Sequence, residues 1–226
     1  GDGDIDIVGT AYHLDEVTWW ENEDGTGATW TKHTIDRNFE FGYAIFSIDI
    51  DGDGDDDVLG GSRVGDGIAW WENDDGSGTS WTRHVVDSLV MYSNSVHAAD
   101  VDDDGDIDVL GQETEDDNII WWENVDGTGT SWTEHMIDSN FNGASSAYAC
   151  DINGDGNINV LGTAYCSNIL AWWEVAGYSE GLLESSILDL QEPPEWQILE
   201  WTSTEPSGTS IVFQVRASDD SENMGY

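Results

Sequence analysis

Residues 44–87 read AIFSIDIDGDGDDDVLGGSRVGDGIAWWENDDGSGTSWTRHVVD, and this stretch decides the fold class of the whole chain. Four short runs in it, 44–49, 58–62, 68–73 and 81–87, are rich in β-branched and aromatic residues. Such residues suit a pleated, packed surface. The segments between them carry the Gly, Asp, Asn and Ser that tight turns demand, most plainly in 74–80 (DDGSGTS). No apolar pattern of helical period runs through the stretch. Four strands joined by short turns predict one four-stranded antiparallel sheet in about 50 residues, the size of a propeller blade.

Working outward, the same pattern recurs without a gap. Trp70-Trp71 has copies at Trp19-Trp20, Trp121-Trp122 and Trp172-Trp173, each 51 residues apart. Trp81 repeats Trp30 and returns as Trp132, His84 lies between copies at His33 and His135, and Asp87 belongs to the series Asp36, Asp87, Asp138, Asp189. The expected fold is therefore all-β, a β-propeller built of four-stranded blades, with four 51-residue repeats over residues 1–189. The first repeat lacks its opening strand, and the fourth extends to 183–189 (LESSILD). Residues 190–226 leave the pattern. Two strand-like runs there, 196–201 and 210–218, suggest either the start of a β-sandwich module or a strand that closes the ring. Three closures stay open: a larger propeller, a compact four-bladed ring, or blades completed between chains.

Within the strand that carries the Trp pair, Val17, Ile68, Ile119 and Leu170 share a face with the first Trp. Thr18, Ala69, Ile120 and Ala171 share the other with the second. Neither face is polar, so this strand should be covered on both sides. The strand that follows carries Lys32, Arg83 or Glu134 at one position and should be an outer strand facing water.

The sharpest motif lies between the first two strands. It reads D-x-[DN]-x-[DN]-G-x-x-[DN]. The second repeat supplies Asp49, Asp51, Asp53, Asp55 and Asp57; the third, Asp100, Asp102, Asp104, Asp106 and Asp108; the fourth, Asp151, Asn153, Asp155, Asn157 and Asn159. Calcium takes six to eight hard oxygen ligands, and a chain curled round one point can present side chains from loop positions 1, 3, 5 and 9 with a carbonyl from position 7. Without a cation, so many adjacent carboxylates repel. An EF-hand would need an acid at position 12, where Gly60, Gly111 and Gly162 stand, so that reading fails. The fourth loop, with Asn in three places, carries less charge. The first keeps only Asp2, Asp4 and Asp6 and lacks positions 1 and 3.

These residues resemble the FG-GAP/VCBS family of repeats, on the strength of the Asp-ended apolar strand, the DxDxDGxxD loop and the V-L-G strand after it. The resemblance covers 1–189. It implies calcium-bearing β-propellers, often of about seven blades, in secreted and cell-surface proteins. It also implies adhesion, glycan binding, or a scaffold beside a separate enzyme module.

Composition narrows the partners. With 48 acidic and 5 basic residues the formal charge is −43, which excludes nucleic acid and anionic membrane surfaces. No apolar run approaches the roughly 20 residues that cross a membrane. Calcium is the expected cofactor; carbohydrate, another protein, or copies of this chain are the expected partners; an extracellular or cell-surface location follows from the resemblance. Two alternatives to a binding or adhesion scaffold are a self-assembling surface filament and an accessory domain of a polysaccharide-degrading enzyme. No catalysis is expected. His33, His84 and His135, and Glu21, Glu72, Glu123 and Glu174, recur at fixed places, as structural residues do, the histidines hydrogen-bonded between blades. Cys150 and Cys166 either pair across a hairpin or stand as free thiols. The Trp pairs, or the non-repeated aromatics Tyr12, Phe39, Phe41, Tyr43, Tyr92, Phe141 and Tyr165, are the candidates for ligand stacking.

Overall fold

In a computed structural model that describes residues 3–175, each repeat forms one antiparallel meander, and no helix occurs among the described residues. The first sheet has three strands, β1 (Ile7–Ala11), β2 (Glu16–Asn22) and β3 (Trp30–Asp36). The second has four in sequence order, β4 (Gly42–Ile48), β5 (Asp57–Ser62), β6 (Ile68–Glu72) and β7 (Thr82–Asp87). The third repeats that order with β8 (Val96–Ala99), β9 (Asp108–Glu113), β10 (Asn118–Asn124) and β11 (Trp132–Asp138). The fourth shows β12 (Ala144–Cys150), β13 (Asn159–Ala164) and β14 (Ile169–Glu174). The four expected runs of the second repeat thus match four strands to within two residues. The expected strand at 183–189, the tail 190–226 and Asp2 lie outside the described residues.

Consecutive sheets touch through their leading strands, β1 against β4, β4 against β8, and β8 against β12. The Trp pairs make the seams. Trp70 and Trp71 are fully buried, and so is Trp122, with Trp121 close behind. The two rings of a pair face opposite neighbours. Trp19 Nε1 donates to the Gly78 carbonyl of the next repeat (3.2 Å), and Trp70 Nε1 to that of Gly129 (3.0 Å). The second Trp points backward: Trp71 Nε1 donates to Asp36 (3.1 Å) and Trp122 Nε1 to Asp87 (3.3 Å). This accounts for the recurrence of the Asp that ends each outer strand. Each second Trp also lies over the glycine of V-L-G on the adjacent strand: a Cβ on Gly60 would sit 2.8 Å from Trp71, and one on Gly111 3.0 Å from Trp122. Burying aromatic surface on this scale is the main stabilising term of the fold.

Three expectations are corrected by the packing. Burial removes Trp70, Trp71, Trp121 and Trp122 as stacking platforms. Phe39 and Phe141 are core residues, each edge-on to a second Trp (Phe39 on Trp71 at 4.9 Å, Phe141 on Trp173 at 5.0 Å). Arg83 does not face open water: its guanidinium lies over Phe39 and Trp71 and pairs with Asp66 (3.0 Å). Of the two states open to the cysteines, the structure shows the second: Cys150 and Cys166 are both free. Cys150 pairs with Asn159 at one end of the β12–β13 hairpin, while Cys166 follows Ala164 at the other. A strand rising about 3.3 Å per residue separates them by roughly 20 Å, far beyond the reach of a disulfide.

Candidate metal centres

Each Asp loop joins the first strand of a sheet to the second and is curled by its own carboxylates. Asp49 accepts the N–H groups of Gly52 (2.8 Å) and Gly54 (3.0 Å), and Asp51 that of Asp53 (3.1 Å). Asp100 likewise accepts from Asp104 and Gly105, both at 3.1 Å. Gly54 and Gly105 at position 6 have φ of 99° and 101°, a region that L-residues rarely enter, so glycine is required there.

The curl brings positions 1, 3 and 9 together. Oxygens of Asp49, Asp51 and Asp57 lie within 4.8 Å of one another, and those of Asp100, Asp102 and Asp108 do the same. Positions 5 and 7 are not in either group. Asp53 and Asp104 are exposed and accept the N–H of Asp55 and Asp106 (2.9 Å each), bracing the loop. The carboxylates of Asp55 and Asp106 lie instead against Gly76 and Gly127 in the neighbouring turn, as Asp4 lies against Gly25. A position-7 side chain aims at the adjacent hairpin because the chain is already entering the second strand.

Position 9 is the anchor. Asp57 is buried and accepts the N–H groups of Ile50 and Asn73 (2.9 Å each); Asp108 accepts those of Val101 and Asn124 (2.9 Å each). Asp6 keeps the same bond to Asn22 (2.9 Å). Burial is the largest cause pushing Asp57 and Asp108 up to about 7, with like charge from Asp51 and Asp53, or Asp102 and Asp104, adding to it. Asp51 and Asp102 are raised as well, first by burial and then by neighbouring carboxylates, Glu72 and Glu123 among them. Those two glutamates are held by histidine. Glu72 bonds His84 (2.8 Å) and Glu123 bonds His135 (2.7 Å), while the imidazoles stack on Trp70 and Trp121 at 4.5 and 4.4 Å. The repeated His is therefore structural, but its partner lies in the same sheet and not in the neighbouring one.

Sequence reading missed two components. The first is Glu72 and Glu123 as part of the loop's charge field. The second is the Asn that closes WWEN. Asn73 and Asn124 donate to the carbonyls of Asp56 (3.3 Å) and Ile107 (3.2 Å) and accept from Gly78 and Gly129 (2.9 Å each), tying loop to turn. Asn124 also donates to the Ile50 carbonyl of the preceding repeat (3.3 Å). The signal was present in the recurrence of Asn22, Asn73 and Asn124 and its failure at Val175. In that fourth repeat the arrangement degrades. Asn159 Nδ2 is buried without a partner, and Asn153 Nδ2 donates to Asp155 (3.0 Å) and Glu174 (3.1 Å), so an amide stands where the other loops converge carboxylates.

The donor sets of the second and third loops fit a hard cation. Each offers three carboxylates at one point, and in the third loop Asp102 Oδ1 is buried with no hydrogen-bond partner, an expense that a cation would remove.

No protein of curated function matches the chain. Among solved structures, an Agrocybe aegerita lectin, described as recognising non-reducing terminal N-acetylglucosamine, is similar at a TM-score of 0.49 and 16% identity over 80% of this chain. This chain spans 52% of that one, about half its length. A model of the FG-GAP-like repeat matches three times, over residues 1–60, 49–111 and 100–162, consecutive matches overlapping on an Asp loop and the V-L-G strand after it. With its repeats, loops and seams in that register, the chain belongs to the FG-GAP-like repeat family.

Proposed function

We propose that this chain forms blades of an extracellular, calcium-stabilised β-propeller that serves as a binding or adhesion scaffold and performs no catalysis. The observation that carries the reading is the pair of carboxylate clusters, Asp49, Asp51, Asp57 and Asp100, Asp102, Asp108, built identically one repeat apart. A repeated constellation suits a structural ion; a reaction needs one asymmetric set of groups. Calcium bound there would neutralise like charges that otherwise oppose burial, and Asp57 and Asp108 would pass that stabilisation to the Trp strands through the N–H groups of Asn73 and Asn124. Packing of successive meanders through their Trp pairs supports the propeller reading, and the formal charge of −43 supports a scaffold that depends on bound cations. Sheet packing leaves the turns and connections free to carry specificity.

Thermal melting in calcium and in EDTA tests this. A filled site adds about 2.7 kcal/mol when calcium exceeds its Kd a hundredfold, so the melting temperature should rise by several degrees in calcium. Identical curves in the two buffers would end the calcium reading.

A further inference from the structure

Aromatic residues at positions whose identity varies between repeats gather at the end of the sheets opposite the Asp loops. Tyr12 lies between β1 and β2, Phe41 between β3 and β4, Tyr92 between β7 and β8, and Tyr43 near the start of β4. Tyr12 is 5.2 Å from Phe41 and 6.3 Å from Tyr43. Arg63, between β5 and β6, places its guanidinium 5.0 Å from the Tyr43 ring and 5.5 Å from that of Tyr92.

Three observations single this cluster out. The first is charge. Lys32, Arg37 and Arg83 all pair with carboxylates, whereas Arg63, among the described residues, has no carboxylate within 4.0 Å; its Nε, like that of Arg83, is buried without a hydrogen-bond partner. In a chain with 48 acidic residues an unpaired guanidinium is an exception. The second is asymmetry. The position of Arg63 is Tyr12, Thr114 and Tyr165 in the other repeats, and that of Tyr43 is Asn94 and Ser145. The third is strain. Phe41, Tyr92 and Gly143 occupy one repeat position, with φ of 52°, 56° and 79°. Glycine is the relaxed choice, yet two repeats place a bulky aromatic there. Backbone bonds fix Arg63 between those two residues: its N–H donates to the Phe41 carbonyl (3.2 Å) and its carbonyl accepts from Tyr92 (3.0 Å).

We infer that Tyr43, Arg63 and Tyr92, with Tyr12 and Phe41 beside them, form a binding site for a sugar bearing a carboxylate. The half-exposed Tyr43 ring offers a flat apolar surface to the C–H face of a pyranose, and the guanidinium offers a planar fork to a carboxylate. One cation without a carboxylate partner at this cluster, in so negative a protein, suits one carboxylate on an otherwise neutral ring; a densely charged polyanion would be repelled. The inference rests on the binding-scaffold reading and names its ligand class.

The test is calorimetric titration of the calcium-loaded chain with methyl glucuronide and methyl glucoside. Saturable binding of the glucuronide is expected, with the glucoside weaker by about tenfold or more. Arg63→Gln should abolish that preference, Arg63→Lys should keep part of it, and both should leave the calcium-dependent melting shift unchanged. No saturable glucuronide binding, equal binding of the two glycosides, or an Arg63→Gln variant that binds like the parent would each overturn the site. A calcium shift retained without glucuronide binding defeats this inference alone; loss of the calcium shift in the parent chain defeats the scaffold reading.

Discussion

Asp57 and Asp108 each commit both carboxylate oxygens to backbone N–H groups while buried beside further carboxylates. Their folded pKa values stand near 7, against an ordinary 3.8, so the metal-free folded chain holds more protons than the unfolded chain between those limits. Stability that depends on those protons is fully present below about pH 4 and is lost as pH rises through about 7. The metal-free melting temperature should therefore be higher at pH 5 than at pH 8, and saturating calcium should shrink or invert the difference. Added salt screens the general repulsion of the exposed acids but leaves the contribution of these buried ones, so the slope should persist in high salt. A flat metal-free profile would show that burial does not hold these groups protonated. Asp102→Asn tests the same site from another side. It should weaken calcium binding at the third loop by about tenfold or more and, by removing a like charge, leave the EDTA melting temperature unchanged or raised.

At the scale of elements, the second Trp of each pair and the glycine of V-L-G are one packing unit. A Cβ at Gly111 would meet Trp122 at 3.0 Å and Ile68 at 3.1 Å, so Gly111→Ala should destabilise by about 1–3 kcal/mol through overpacking, measured by urea unfolding. The Asn hub is the second such unit. Asn124→Ala removes two donated bonds and one accepted bond, and should cost about 2–3 kcal/mol. It should also weaken calcium binding, because the Asn124 N–H that holds Asp108 sits in the backbone the side chain ties down. A fully cooperative, unshifted unfolding curve would remove the hub from the account. Strand positions, the outer placement of β7 and the doubly covered Trp strand were all legible in the sequence, because each rests on local residue type and a period that repeats. Which loop carboxylates converge was less so. The motif offers side chains at positions 1, 3, 5 and 9, whereas the chain's curl brings the carboxylates of 1, 3 and 9 together, and the side chain of position 7 turns to a glycine in the next hairpin.

At the scale of the molecule, one 51-residue unit is laid down repeatedly and stitched forward by its first Trp and backward by its second. That stitching explains why the period tolerates no insertion: Trp70 must reach Gly129 in the next repeat while Trp71 reaches Asp36 in the previous one. Arg63, whose guanidinium alone among the described residues lacks a carboxylate partner, gave no sequence signal, because pairing is a property of three-dimensional neighbours; Arg37 and Arg83 look no different in the sequence. The most direct test of the central claim is a calcium titration of the metal-free chain by isothermal calorimetry, with Asp51→Asn and Asp102→Asn beside it. Two tight sites are expected, one for each carboxylate cluster, each weakened singly by its own variant, with weaker binding at the Asn-substituted fourth loop. Absence of saturable binding, or two variants that bind calcium like the parent, would contradict it.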